Sequence, residues 1–288
     1  MTKKIIYKGL VHCVTTKSGI LYIRRSGKCV LCGNSPPYAL AKDYERDDAI
    51  GMSDKVDAYN DYLKRMMIVF KECFRVLQQG RYIGVNIADV IQTDKHSREK
   101  KPIQFHFYTL LKKCGFEYEE VIIWKKPQGM STQKRFGVLI QNPYPMYYHP
   151  NNIYEPILVF KKPGKFELSE KDKEQNKLNY KSFSSFQSDV WEIMPETGVE
   201  HPAPFPVALP KVFFQLHSLK GETILDPFLG SGTSMKAARI LRREGIGYEI
   251  NPNYIDLILK RCGFANSNQN TLDKFQLELD KTDEVQVV

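Results

Sequence analysis

Between residues 221 and 249 the chain reads GETILDPFLGSGTSMKAARILRREGIGYE: an apolar strand, a loop with two glycines, a helical pattern and a second strand ending on Glu249. Few folds accept that order. A strand that turns sharply into a helix and returns as a neighbouring strand is the unit of an open α/β sheet, which holds ligands beyond the carboxyl ends of its strands. The loop is Asp226-Pro227-Phe228-Leu229-Gly230-Ser231-Gly232-Thr233. Gly230 and Gly232 permit a tight turn and a close approach of backbone to ligand. A dinucleotide loop needs a third glycine, and position 235 is Met, so the pyrophosphate-binding form is not matched. Glu249 points to a nucleoside, because a carboxylate at the next strand's end accepts both ribose hydroxyl protons. The plainer alternatives are an ordinary turn at the glycines and a solvated strand end at Glu249.

The same alternation extends along the chain. Apolar, β-branched runs at 28–32, 81–87, 118–124 and 154–160 are interleaved with helical patterns over 59–77 and around 105–114. A helix over 211–219, a strand at 223–225, a helix over 233–243 and a strand at 245–249 follow. The spacing predicts a doubly wound, mainly parallel sheet. Residues 161–181 are lysine-rich with interspersed Glu and Asp and no sustained apolar period, which marks an insertion or a solvated linker. Five prolines between 195 and 210 argue against a regular helix there. The tail beyond Gly263 is polar and receives no role, and no internal repeat is visible.

With 288 residues, 42% of them hydrophobic, the chain fills one large α/β core or two modest domains. No run approaches the roughly 20 apolar residues of a membrane span, and the lysine-led start lacks a signal-peptide core. A cytoplasmic location and no membrane partner are expected. The formal charge of +9 nominates a polyanion such as nucleic acid and is equally compatible with a merely basic surface. The cysteines include one C-x-x-C pair, Cys29 and Cys32; a structural zinc site wants four ligands, so no metal is expected.

The run at 28–33 empties into Asn34-Ser35-Pro36-Pro37-Tyr38. Both prolines lack an N–H and have fixed φ, so this turn presents carbonyl oxygens rigidly, and Ser35 is held extended by the proline after it. Such acceptors suit an exocyclic amino group. That nitrogen is a poor nucleophile because its lone pair is delocalised into the base. Hydrogen bonds from its two N–H groups to the Ser35 hydroxyl and the Pro36 carbonyl localise the pair, an electrostatic and positional gain with no covalent intermediate. Tyr38 offers a ring face to an extruded base. Alone, S-P-P-Y is as readily a plain turn; at a strand end, in a chain with the glycine loop, it is far more specific. Asp89, beyond the next strand, is a candidate acceptor for the released proton or simply a turn former.

NSPPYA and DPFLGSGT resemble the catalytic and cofactor signatures of the amino-methyltransferases of restriction-modification systems, and the resemblance runs from about Lys28 to Cys262. The catalytic signature comes first, as in the permuted β class. The stretches at 62–87 and 154–162 are similar to further family elements. DVWEI at 189–193 and HPAPFP at 201–206 resemble the segment that closes over the methionine part of the cofactor. The resemblance implies a seven-stranded sheet with one antiparallel strand and S-adenosyl-L-methionine as cofactor. It implies cofactor contacts from Asp226, Phe228, Gly230, Gly232, Thr233 and Glu249, with others near His201, Pro202 and Phe205. Ser35, Pro36, Pro37 and Tyr38 are the expected catalytic residues.

In that family, Ser before Pro-Pro-Tyr is typical of cytosine-N4 enzymes. The expected activity is therefore methylation of cytosine N4 in duplex DNA, protecting it from a partner restriction endonuclease. Adenine-N6 methylation is the first alternative; an RNA or protein amide methyltransferase and a non-catalytic recognition subunit are others. Methylation at ring carbon 5 is disfavoured, since no Cys directly follows a Pro. The expected division is 1–160 catalytic half, 161–188 target-recognition insertion or linker, 189–265 cofactor-binding half and 266–288 tail. The insertion is short for a recognition domain, so target reading is expected to be shared with 137–152. Asn142, Tyr144, Tyr147, Tyr148 and His149 lie there next to Lys134 and Arg135, though loop tyrosines are as often packing residues. A monomer or homodimer is expected.

Overall fold

The computed structural model describes residues 29–31, 58–93, 98–127, 144–145, 153–196, 205–249 and 251–263. In chain order these form β1 (Cys29–Leu31), α1 (Ala58–Val76), β2 (Tyr82–Asn86), β3 (Val90–Thr93), β4 (Arg98–Lys101), α2 (Ile103–Lys113), β5 (Glu117–Lys125) and β6 (Tyr154–Lys161). They continue as α3 (Glu170–Gln175), a 3-10 segment (Tyr180–Phe186), β7 (Val190–Glu192), α4 (Ala208–His217), β8 (Thr223–Asp226), α5 (Thr233–Ile240) and β9 (Glu244–Gly247). A 3-10 turn (Pro252–Tyr254) and α6 (Ile255–Arg261) close the series.

β1, β8 and β9 pair in parallel in that order, and β2, β6, β5 and β7 pair in that order. β6 runs antiparallel to both of its neighbours, and β7 is parallel to β5. β1 also lies beside β2. Side chains from both groups share cores: Leu225 and Ile246 pack with Ile83 and Val85, and Ile224 packs with Ile157 and Val159. The order β9-β8-β1-β2-β6-β5-β7 thus makes one layer with β6 as the reversed strand. β3 and β4 form a separate antiparallel hairpin, which periodicity did not reveal.

Each face of this layer carries helices because successive strand residues point to opposite sides. Leu158 and Phe160 belong to one core, Ile157 and Val159 to the other. α1 buries Tyr62, Met66, Phe70 and Cys73, and α2 buries Ile103, Phe107 and Leu111, spacings of three or four residues that put one stripe of each helix on the first core. Leu209, Val212 and Phe213 of α4, Met235 of α5 and Ile258 of α6 fill the second core with Trp124 and Trp191. Gly84 of β2 lets α4 in: a Cβ there would sit 2.5 Å from Phe213 Cζ.

α4 begins three residues earlier than the proline pattern predicts, with Pro210 in its first turn, where the missing N–H has no intrahelical acceptor to lose. α5 stops at Ile240 rather than running to 243; Arg242 turns the chain with φ 59°. Residues 162–186 bury no side chain within α3 or the 3-10 segment, yet they are tied down. Lys162 Nζ donates to the carbonyls of Phe74 (2.6 Å) and Leu77 (2.7 Å), and the Arg81 guanidinium lies 3.9 Å from the Phe166 ring centroid. The Lys220 amide donates to Asn176 Oδ1 at 2.8 Å. Arg81, just before β2, forms an ion pair with Glu222, just before β8, so the strands start at one end of the layer. The lysine-rich segment packs at that end, opposite the glycine loop. No described helix is long and apolar enough to cross a membrane.

Candidate cofactor site

β8 is flanked by β1 and β9, and Pro227, which has no N–H to donate, ends it. Asp226 is fully buried and turns its carboxylate back into the loop. Its Oδ1 accepts from the Phe228 amide at 2.9 Å and its Oδ2 from the Ser234 hydroxyl. Gly230 (φ 51°) and Gly232 (φ 82°) both take the left-handed conformation that a side chain resists. A Cβ on Gly232 would come 3.2 Å from Ile258 Cγ2. The loop is also stitched to the end of β9: the Leu229 amide donates to Tyr248 O at 2.7 Å, and the Tyr248 amide to Asp226 O at 2.9 Å. That approach requires Gly247, where a Cβ would lie 2.6 Å from Leu229 Cδ2. Sequence reasoning passed over Gly247, although a glycine inside a strand marks close approach of another backbone or side chain.

Glu249 is half-buried. Its Oε2 accepts from the Gly230 amide at 2.7 Å and its Oε1 from the Asn251 amide at 2.9 Å, charge-assisted bonds that hold loop and following turn together. Phe228 is also half-buried and packs with Tyr248 against the margin of the α1–α2 core. Thr233 is buried; its Oγ1 lies 3.2 Å from Ser231 Oγ and accepts from Arg261 Nη2 at 3.1 Å. Cys262 sits beneath, its Sγ 3.9 Å from Gly232 O, and burial pushes its thiol up to about 11. Phe205 belongs to the α4–α6 core that also holds Leu229.

The predicted cofactor residues therefore divide by exposure. Phe228 and Glu249 are reachable from outside, whereas Asp226 and Thr233 face inward and hold the loop's shape. Ser35, Pro36, Pro37, Tyr38, His201 and Pro202 lie outside the described residues. β1, the strand that leads toward Ser35, is in register with β8 through Leu31 and Leu225.

Two polar clusters at the same end of the layer were not legible in the sequence. Asp89, with its side chain 10% exposed, accepts from Gln104 Nε2 at 3.2 Å and lies 3.5 Å from Lys100 Nζ, joining the end of β2 to α2 and the hairpin. Its Oδ1 is buried without a hydrogen-bond partner. Glu155 accepts from Asn86 Nδ2 at 2.7 Å and forms an ion pair with Lys126, closing the base of the connection between β5 and β6. No group of three potential metal ligands occurs among the described residues.

The DNA methylase family, N6/N4 type, matches the chain over residues 31–260. The chain belongs to that family. Among its relatives, the Type II beta methyltransferase M.BslI of Bacillus sp. (strain NEB-606) is 35% identical over 242 residues, 79% of this chain. The chain spans only 25% of the length of M.BslI. Of solved structures, the DNA modification methylase TTHA0409 of Thermus thermophilus is 25% identical with a TM-score of 0.66, covering 84% of this chain and 89% of that one. Its complex with S-adenosyl-L-methionine, at 24% identity and a TM-score of 0.65, shares the fold over 84% of this chain and 88% of that one. So does the PvuII DNA methyltransferase (cytosine-N4-specific), with 17% identity, a TM-score of 0.61, and coverage of 88% and 86%.

Proposed function

We propose that the chain transfers a methyl group from S-adenosyl-L-methionine to the exocyclic N4 of cytosine in duplex DNA, as the modification partner of a restriction endonuclease. The observation that carries this reading is the parallel register of β1 and β8. It ends the strand before Asn34-Ser35-Pro36-Pro37-Tyr38 beside the strand before the glycine loop. The step from Leu31 to Ser35 spans at most about 14 Å of extended chain. Cofactor loop and catalytic loop thus belong to one crevice.

The residues present fit the cofactor. Gly230 and Gly232 form a cradle that side chains would fill, and the half-buried Glu249 carboxylate stands at the end of β9 to accept ribose hydroxyls. Phe228 offers an apolar surface beside it. When bound, the cofactor supplies an electrophilic methyl group on sulfur. The chain's own contribution is to the acceptor: the Ser35 hydroxyl and Pro36 carbonyl take hydrogen bonds from the amine and raise its nucleophilicity, while Tyr38 stacks on the extruded base. Ser35 ahead of Pro-Pro-Tyr favours cytosine. Target reading is assigned to the chain between Pro127 and Ile153, because its base is closed by Lys126 and Glu155 at the glycine-loop end, whereas 162–186 packs at the other. The net charge of +9 suits a phosphate backbone.

The test is to incubate the protein with unmethylated genomic DNA and methyl-labelled cofactor, digest to nucleosides and identify the product by mass spectrometry. N4-methylcytosine is expected, and Ser35→Ala is expected to lower the single-turnover rate far more than either substrate's affinity. Label in N6-methyladenine would overturn the serine-based specificity and keep the reaction class. Label confined to RNA or protein would overturn the substrate.

A further inference from the structure

Arg261 is the last residue of α6, and its side chain is only 11% exposed. Its Nη2 lies 2.7 Å from Glu196 Oε2 and 3.1 Å from Thr233 Oγ1. Three separate pieces of chain therefore meet at one guanidinium: the first residue of α5, the end of α6, and the stretch between β7 and α4. That stretch is anchored on both sides of Glu196, since Ile193 and Phe205 are buried in the core that contains Leu229 and Ile258. Its approach to the glycine loop runs through the ion pair. Arg261 Nε is buried with no hydrogen-bond partner, so the guanidinium is held here by Glu196 and Thr233 despite a donor that gains nothing from burial. A buried cation left without its carboxylate is strongly unfavourable, which makes the pair a tight link between the loop and the 193–205 stretch.

We infer that Arg261 and Glu196 are positioning residues that hold the 193–205 stretch against Ser231–Thr233, so that this stretch covers the amino-acid arm of the cofactor. The inference rests on the cofactor reading above. With the ribose at Glu249 beside β9 and the sulfur directed toward the loop after β1, the arm attached to that sulfur has the Ser231–Thr233 side of the loop to lie along. Glu196 enters from that side. Removing the link frees the stretch and weakens the grip on the arm, leaving the nucleoside contacts in place.

Two nucleosides separate these effects: S-adenosylhomocysteine carries the amino-acid arm, and 5′-methylthioadenosine lacks it. Calorimetric titration of the intact chain with each, for wild type, Arg261→Met, Glu196→Gln and the double variant, reads the link directly. Arg261→Met is expected to weaken S-adenosylhomocysteine by about tenfold, within the usual range for coupled sites, and to leave 5′-methylthioadenosine unchanged. The double variant is expected to lose no more than Arg261→Met alone. Should Arg261→Met fail to fold, Glu196→Gln, whose side chain is 25% exposed, carries the same comparison with a smaller loss. Equal losses for both nucleosides, or none for either, would overturn the link while the cofactor reading stands. Failure of the wild-type chain to bind either nucleoside would overturn the cofactor reading and the link with it.

Discussion

Asp226 and Glu249 are carboxylates of the same loop system with opposite exposures, and the difference decides what each does. Asp226, at 0% exposure, gives its oxygens to the Phe228 amide and the Ser234 hydroxyl, and so shapes the turn from within. Glu249 braces the loop through Gly230 and still presents its carboxylate at the open edge. Glu249→Ala is expected to weaken S-adenosyl-L-methionine binding by roughly 1.5–3 kcal/mol, the worth of hydrogen bonds to a charged group. Calorimetry on the variant checks this, and an unchanged dissociation constant would remove Glu249 from the ribose site. The loss of bracing is a separate effect, visible as a lower melting temperature without ligand.

The β8–loop–α5 unit was readable because its determinants are local: an apolar run, a proline that ends it, and glycines where φ must be positive. Helices α1 and α2 were equally legible from their apolar spacing. The β3–β4 hairpin was not, since Arg98–Lys101 is polar throughout and only its pairing with Val90–Thr93 makes it a strand. Pro210 misled for a local reason as well, because a proline excludes helix interior and not the first turn. Between elements, contact geometry takes over, as at Gly84, where α4 lies so close to β2 that Phe213 occupies the space of a missing Cβ. Gly84→Ala is expected to cost about 1–3 kcal/mol by overpacking. Urea titration measures the loss, and a second change, Phe213→Leu, should recover part of it; full stability of Gly84→Ala alone would contradict the packing.

Taken whole, the layer has two chemically different ends. One carries the glycine loop and the end of β1. The other is closed by buried polar groups around the strand starts, including the Arg81–Glu222 pair, Arg243 bonded to Ser218, and His217 stacked on Phe213. Burial pushes the His217 imidazole below its ordinary 6.5, with a bond to the Phe213 carbonyl opposing this and the Arg81 charge adding to it. A histidine with a depressed folded pKa leaves the unfolded chain binding more protons as pH falls below about 6.5, so stability declines with acidification and rises with pH in that window. His217→Phe removes this group from the titration. Its unfolding free energy, measured between about pH 7 and about pH 5, should fall less steeply than that of wild type; parallel curves would show that His217 titrates alike in both states.

The sequence by itself determined the class of fold, the glycine loop, the acid at the end of β9 and the strand that leads to Ser35, because each is written in a handful of contiguous residues. It also carried the family, through NSPPYA and DPFLGSGT. Only the tertiary structure decided which loop residues face inward, that Gly247 admits Leu229, and that the lysine-rich segment packs at the end of the layer away from the loop. Only the tertiary structure, too, brought Arg261 to Glu196 across 65 residues of chain. A local pattern fixes backbone conformation through sterics and hydrogen bonding between near neighbours. Which side chains then meet depends on how helices seat on the sheet, and that is settled by packing between residues far apart in sequence.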